Sequence, residues 1–143
     1  MSNYGYPNNA YPNNAYPNQY GQHYVIPTED RSAAALAHGS TLIALVFSVG
    51  SLPFLGPLVM WLLYKDRSPY VRRAAANAFN FNIWLTLANV VAWILVFTII
   101  GSPVAAIIFI VTTIMQVWCH LRGTLKSLQG EDYRYPFQTR ILS

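Results

Sequence analysis

The chain has 143 residues, enough for one domain. Charged residues make up 10% of it against 54% apolar residues, far below the roughly 25% charged content of soluble domains. That balance excludes a water-soluble globular fold, because so few charges cannot cover so large a core. The net charge of +4 does not imply nucleic acid, since the basic residues flank apolar segments and do not form a separate polar surface. No charge occurs between Arg31 and Lys65, or between Arg73 and Arg122, and each gap exceeds the ~18 apolar residues of a membrane span. The one cysteine, Cys119, rules out an intrachain disulfide.

Residues 1–31 read as a disordered low-complexity tail. Tyr6-Pro7-Asn8-Asn9-Ala10 is repeated as Tyr11-Pro12-Asn13-Asn14-Ala15 and then Tyr16-Pro17-Asn18-Gln19-Tyr20. Proline at every fifth position blocks a helix, and Asn and Gln supply no core. The N-terminus has no basic region followed by an apolar core, so no cleavable signal peptide is expected.

The remainder, 32–143, reads as a helical membrane domain. Ser32 is a candidate cap for a helix over about 33–49. Gly50, Pro53, Gly56 and Pro57 break it, and a short helix over about 56–64 follows. This region either crosses once as a broken helix or forms a hairpin of short arms. His38 is an ionisable group in an apolar helix and a candidate for hydrogen-bonded packing or for a proton or ligand role.

Lys65, Arg67, Arg72 and Arg73 against Asp66 make a basic connector, which the positive-inside rule places in the cytoplasm. All four are candidates for contact with anionic lipid phosphates. Ser68-Pro69 is a helix start, Ser as cap and Pro at the first position, for a helix over about 69–100. Asn77 and Asn80 fall close together on the helical wheel, and Asn82, Thr86 and Asn89 form a second stripe on the opposite side. Both stripes need partners, as interhelical hydrogen bonds or a polar pathway. Ser102-Pro103 repeats the start signal for a last helix over about 103–129, with Gly130 as its stop. Thr112, Gln116, Gly123 and Ser127, with His120 beside them, give it a small and polar face that should meet the asparagine helix. Cys119-His120 has no second pair at ligand spacing, so no metal motif or cofactor is expected. Tyr133, Tyr135 and Phe137 alternate after the last helix. They either anchor at the headgroups or fold back against Tyr70.

The expected fold is an all-α integral membrane protein of two helical hairpins: four membrane segments, the second short, behind a disordered tail. Leu36-Ala37-His38, Gly56-Pro57 with Trp61, Lys65-Asp66 with Ser68-Pro69-Tyr70-Val71-Arg72, Asn77-Ala78-Phe79-Asn80-Phe81, and Gly130-Glu131 with Tyr133-Arg134-Tyr135-Pro136 carry a resemblance. The series resembles a bacterial domain-of-unknown-function family of small membrane proteins. That family is similar to the channel-type subunit of the chloroplast inner-envelope (Tic) protein-import translocon. The resemblance implies a compact membrane domain with both termini cytoplasmic, in the bacterial inner membrane. It implies no reaction. With every acid near or outside the membrane surface, a non-enzymatic subunit is expected, in an assembly that moves or inserts proteins. The expected partners are lipids and other membrane subunits or further copies of the chain. A small oligomeric transporter or channel is the alternative.

Overall fold

The structure is a computed structural model that describes residues 16–17, 23–24, 26–48, 52–137 and 139–143. Four helices account for most of them: α1 (Thr28–Phe47), α2 (Leu55–Tyr64), α3 (Pro69–Val96) and α4 (Gly101–Leu128). Most of the tail lies outside the described residues. Its described part pairs Tyr16 with Tyr24 and Pro17 with His23 in an antiparallel ladder.

Local chemistry explains the ends of the helices. Ser68 caps α3 as the sequence predicts: its Oγ accepts from the Val71 amide at 3.3 Å, and Pro69 follows at the first position. The same hydroxyl donates to Asp30 Oδ2 at 2.8 Å, which ties the start of α3 to the start of α1. Gly130, at φ 80, stops α4 as expected. The Glu131 amide then reaches back to the Lys126 carbonyl at 2.9 Å, satisfying a terminal acceptor.

Three boundaries depart from expectation. Helix α1 begins at Thr28 after Pro27, not at Ser32, so the expected tail boundary at 31 falls inside a helix. Glu29 and Asp30 occupy its first turn, where acids complement the helix dipole. Helix α3 stops at Val96, short of Ile100. There Thr98 Oγ1 donates to the Leu95 carbonyl at 2.9 Å and accepts from the Gly101 amide at 3.0 Å. Ser102 does not cap α4, which starts at Gly101 without a side-chain cap.

The helices alternate in direction. Asp30, Ser68 and Tyr70 meet at one end, where the Tyr70 hydroxyl also donates to the Glu131 carbonyl at 3.0 Å. At ~1.5 Å per residue α1 is about 30 Å long, α2 about 15 Å, and α3 and α4 about 42 Å each. Two helices, α3 and α4, are long and apolar enough to cross a membrane by length and composition. Helix α2 rises about a third of the length of α3: Phe54 at its start packs edge-on against Phe79 at 5.9 Å. The lower core is small-residue packing of Ala33, Ala34 and Ala37 against Tyr70, Val71, Ala74 and Ala75. The outward faces stay apolar, with Ile43, Val59, Val90, Ile94, Ile107 and Ile114 all exposed.

Candidate functional site

The centre of the bundle is a buried polar network built from α1, α3, α4 and the segment after α4. Asn82 of α3 is its hub. Its Nδ2 donates to Thr41 Oγ1 of α1 at 3.0 Å, and its Oδ1 accepts from Gln116 Nε2 of α4 at 3.3 Å. His120 Nε2 lies 3.3 Å from the same oxygen. On the far side of that ring, Nδ1 of His120 is 2.8 Å from the Tyr135 hydroxyl, which is 2.7 Å from His38 Nδ1. His38, Thr41, Asn82, Gln116 and His120 are all buried, and Tyr135 is 5% exposed.

The hub fixes the proton order for neutral imidazoles. Asn82 Oδ1 can only accept, so His120 carries its proton on Nε2 and presents a bare Nδ1. Tyr135 therefore donates to His120, and its oxygen accepts from Nδ1–H of His38. That leaves His38 Nε2 a lone pair, buried and without a hydrogen-bond partner among the described residues, as are Gln116 Oε1 and Thr86 Oγ1.

Backbone approach makes this arrangement possible. His38 lies flat on α4 at Gly123, where an added Cβ would stand 2.9 Å from the ring. Tyr135 reaches the interior from the non-helical segment after α4. Its ring stacks on Phe81 at 4.5 Å and meets Tyr133 edge-on at 4.8 Å. Burial pushes its phenol well above the ordinary value of 10.0, with Tyr133 and Cys119 adding to the shift. Tyr133 is raised to about 12, mainly by desolvation and then by a hydrogen bond with Cys119.

The two asparagine stripes have different partners. Asn77 and Asn80 face the chain's own C-terminal segment. Asn80 Oδ1 accepts from the amides of Ile141 and Leu142 at 3.1 and 2.9 Å, and its Nδ2 donates to the Leu142 carbonyl at 2.9 Å. Asn77 Nδ2 donates more weakly to the Tyr133 carbonyl at 3.4 Å. Trp84 Nε1 adds a bond to Thr139 Oγ1 at 2.8 Å. The other stripe faces α4: Asn82 at the hub, and Asn89, whose Oδ1 accepts from Thr112 Oγ1 at 2.7 Å. The small face of α4 meets both neighbours, α3 through Thr112 and Gln116 and α1 through Gly123.

The basic residues stand apart from this network. Lys65 lies over the Trp61 ring at 5.6 Å, Arg67 is exposed, Arg72 is half-buried, and Arg73 is 3.7 Å from Asp132. Sequence reasoning singled out His38, Asn82, Gln116 and His120 separately but passed over Thr41 as a partner. It left Tyr135 between the headgroups and a fold back against Tyr70; the structure instead inserts Tyr135 among His38, His120 and Phe81. The spacing of Tyr133 and Tyr135 before Pro136 was the available signal.

Fold and site together define a membrane-type helical bundle with a hydrogen-bonded polar interior closed by its own C-terminus. A family model matches residues 29–142, that of the magnetosome magnetite crystal formation protein family. The chain belongs to this family. The match overturns the resemblance to the Tic translocon subunit, and with it the expectation of protein translocation or insertion. No curated protein and no solved structure matches.

Proposed function

We propose that the chain is a non-enzymatic, multi-pass subunit of the magnetosome membrane that acts in the formation of magnetite crystals. The family match over 29–142 carries this reading, and two apolar helices of 28 residues each support the membrane placement. Four membrane-embedded segments fit the alternating helix directions: α3 and α4 cross fully, and α1 with the short α2 forms a pair that enters and returns. Both termini then lie on one side. That side is cytoplasmic by its charge, since Arg31, Lys65, Arg67, Arg72 and Arg73 sit at the helix ends nearest it. Lys65, Arg67, Arg72 and Arg73 stand at headgroup level, where anionic lipid phosphates are their partners. The exposed apolar faces of α3 and α4 are available to lipid, to other membrane subunits or to a second copy of the chain.

The alternative of a small oligomeric transporter draws on the polar interior. Inside one copy, however, that interior is filled by side chains bonded to one another, and above Asn89 helices α3 and α4 stay packed, with Trp93 against Phe109 at 5.4 Å and Ala92 and Ala105 fully buried. The test is a strain lacking the chain, grown with iron and viewed by electron microscopy. Crystals of altered size or shape, restored by the intact gene, are the expected result. Crystals indistinguishable from those of the parent strain would overturn the reading.

A further inference from the structure

The four helices do not reach the same height. Thr41 of α1 stands level with Asn82 of α3, joined to it at 3.0 Å. From that level α1 continues about 9 Å to its end at Phe47, while α3 runs about 21 Å to Val96, at ~1.5 Å per residue. Helix α2 starts lower still, with Phe54 against Phe79, and descends to the turn where the Ser68 amide donates to the Tyr64 carbonyl at 3.1 Å. The C-terminal segment is held at the level of Asn80 and Trp84. Among the described residues, the top ~12 Å of the bundle is therefore α3 and α4 alone. There only their facing sides are covered, by Trp93 against Phe109 and by Ala92 and Ala105, whereas Val90, Val91, Ile94, Val104 and Ile107 are exposed.

The lower layer is apolar on its outside as well. Leu36 of α1 and Leu55, Val59, Leu62 and Leu63 of α2 are exposed, a surface suited to lipid and not to water. On the membrane placement proposed above, on which this inference rests, α3 and α4 cross a ~30 Å hydrocarbon core and α1 ends near its middle. The cytoplasmic leaflet then holds four helices and the other leaflet two. At ~10–12 Å in diameter a helix occupies about 100 Å² of a leaflet, so α1 and α2 add about 200 Å² to one leaflet only. Local thinning, which accommodates a short hairpin by itself, does not relieve the imbalance, because α3 and α4 hold the bilayer at full thickness. A flat bilayer has leaflets of equal area, and a leaflet with surplus area becomes the outer one of a curved sheet. We propose that the chain is a curvature element: a wedge, wide in the cytoplasmic leaflet and narrow in the other, that concentrates in and stabilises membrane convex toward the cytoplasm, as in the wall of a small intracellular vesicle. Its partner is a lipid surface recognised by shape, not by headgroup.

The purified full chain carrying Tyr20→Cys in a Cys119→Ala background is reconstituted into giant vesicles of phosphatidylcholine, at a density low enough that chains do not crowd one another. An impermeant thiol-reactive dye added outside marks only chains whose wide end faces out. A membrane tube is then drawn outward, and dye per unit area is compared between tube and vesicle. The wedge predicts a tube-to-vesicle ratio above one that rises as the tube narrows. Thr98→Cys, at the narrow end, marks the opposite orientation and should give a ratio below one. Equal ratios for the two labels, or the reverse order, would overturn the proposal. The readout is independent of the crystal phenotype. Sorting with unaltered crystals would leave the wedge standing and remove the family role, and equal ratios with altered crystals would do the reverse.

Discussion

Asn82 and Asn89 sit on one stripe of α3 but differ in what depends on them. Asn82 serves Thr41, Gln116 and His120 at once. Thr112, the partner of Asn89, also donates to the carbonyl of Ile108 at 2.9 Å. Leucine at position 82 strands several buried polar groups, and leucine at 89 strands none. We expect Asn82→Leu to cost about 1–3 kcal/mol and Asn89→Leu about 0.6 kcal/mol, typical of one interhelical bond in a membrane. Denaturation in mixed micelles measures both. Tyr135 adds a pH dependence. The unfolded phenol ionises near 10.0 and the folded one higher. Below the lower value both states hold the proton, and stability is unaffected. Between the two values the unfolded state binds fewer protons, so stability falls as pH rises. Melting temperatures over roughly pH 8–11 should decline on the alkaline side, and Tyr135→Phe should flatten that decline. Tyr133, raised to about 12, leaves a smaller residual slope.

At the scale of elements, the start of α3 and the C-terminal segment hold the bundle together through single residues. Ser68→Ala removes a helix cap worth about 1 kcal/mol and also the bond to Asp30. It should therefore loosen the α1–α3 junction more than a cap elsewhere would, which hydrogen exchange at the amides of 70–72 can read. Asn80 holds the backbone of 141–142 by three bonds, so Asn80→Leu should free the last residues to carboxypeptidase while α3 stays helical. Unchanged resistance would show that Trp84, and Trp61 whose Nε1 donates to the Ser143 carbonyl at 3.4 Å, hold the segment without it. These elements also mark what was legible in the sequence. The Ser-Pro start and the glycine stop are local signals, and both were readable. Thr28 was not, because Ser32 offered an equally good cap, and the acids that favour the earlier start were read as part of the tail. The end of α3 was overshot because Thr98-Ile99-Ile100 carries no breaker. A threonine side chain turning back on its own helix replaces one.

For the molecule as a whole, the sequence showed which residues were out of place in an apolar helix. It could not show that they meet, because His38, Asn82, His120 and Tyr135 become neighbours only when α1, α3 and α4 pack and the C-terminal segment turns inward. The family resemblance failed for a related reason. The Ser-Pro-Tyr turn and the asparagine-aromatic stretch report a helix cap and a bundle contact, features that membrane families of different function share. Charge is the property that organises the molecule at this scale. All charged residues of helices and connectors lie at one end: Glu29, Asp30 and Arg31, then 65–73, then Arg122 to Arg134. The opposite turn, with Phe97, Ile99 and Ile100 almost fully exposed, carries none. On the membrane placement proposed above, that asymmetry puts both termini on one side. Single cysteines placed at Tyr20, Thr98 and Ser143 in a Cys119→Ala background, probed with an impermeant thiol reagent in sealed vesicles of known orientation, test it. The account predicts that Tyr20 and Ser143 label from the same side and Thr98 from the other. Labelling of Tyr20 and Ser143 from opposite sides would contradict it.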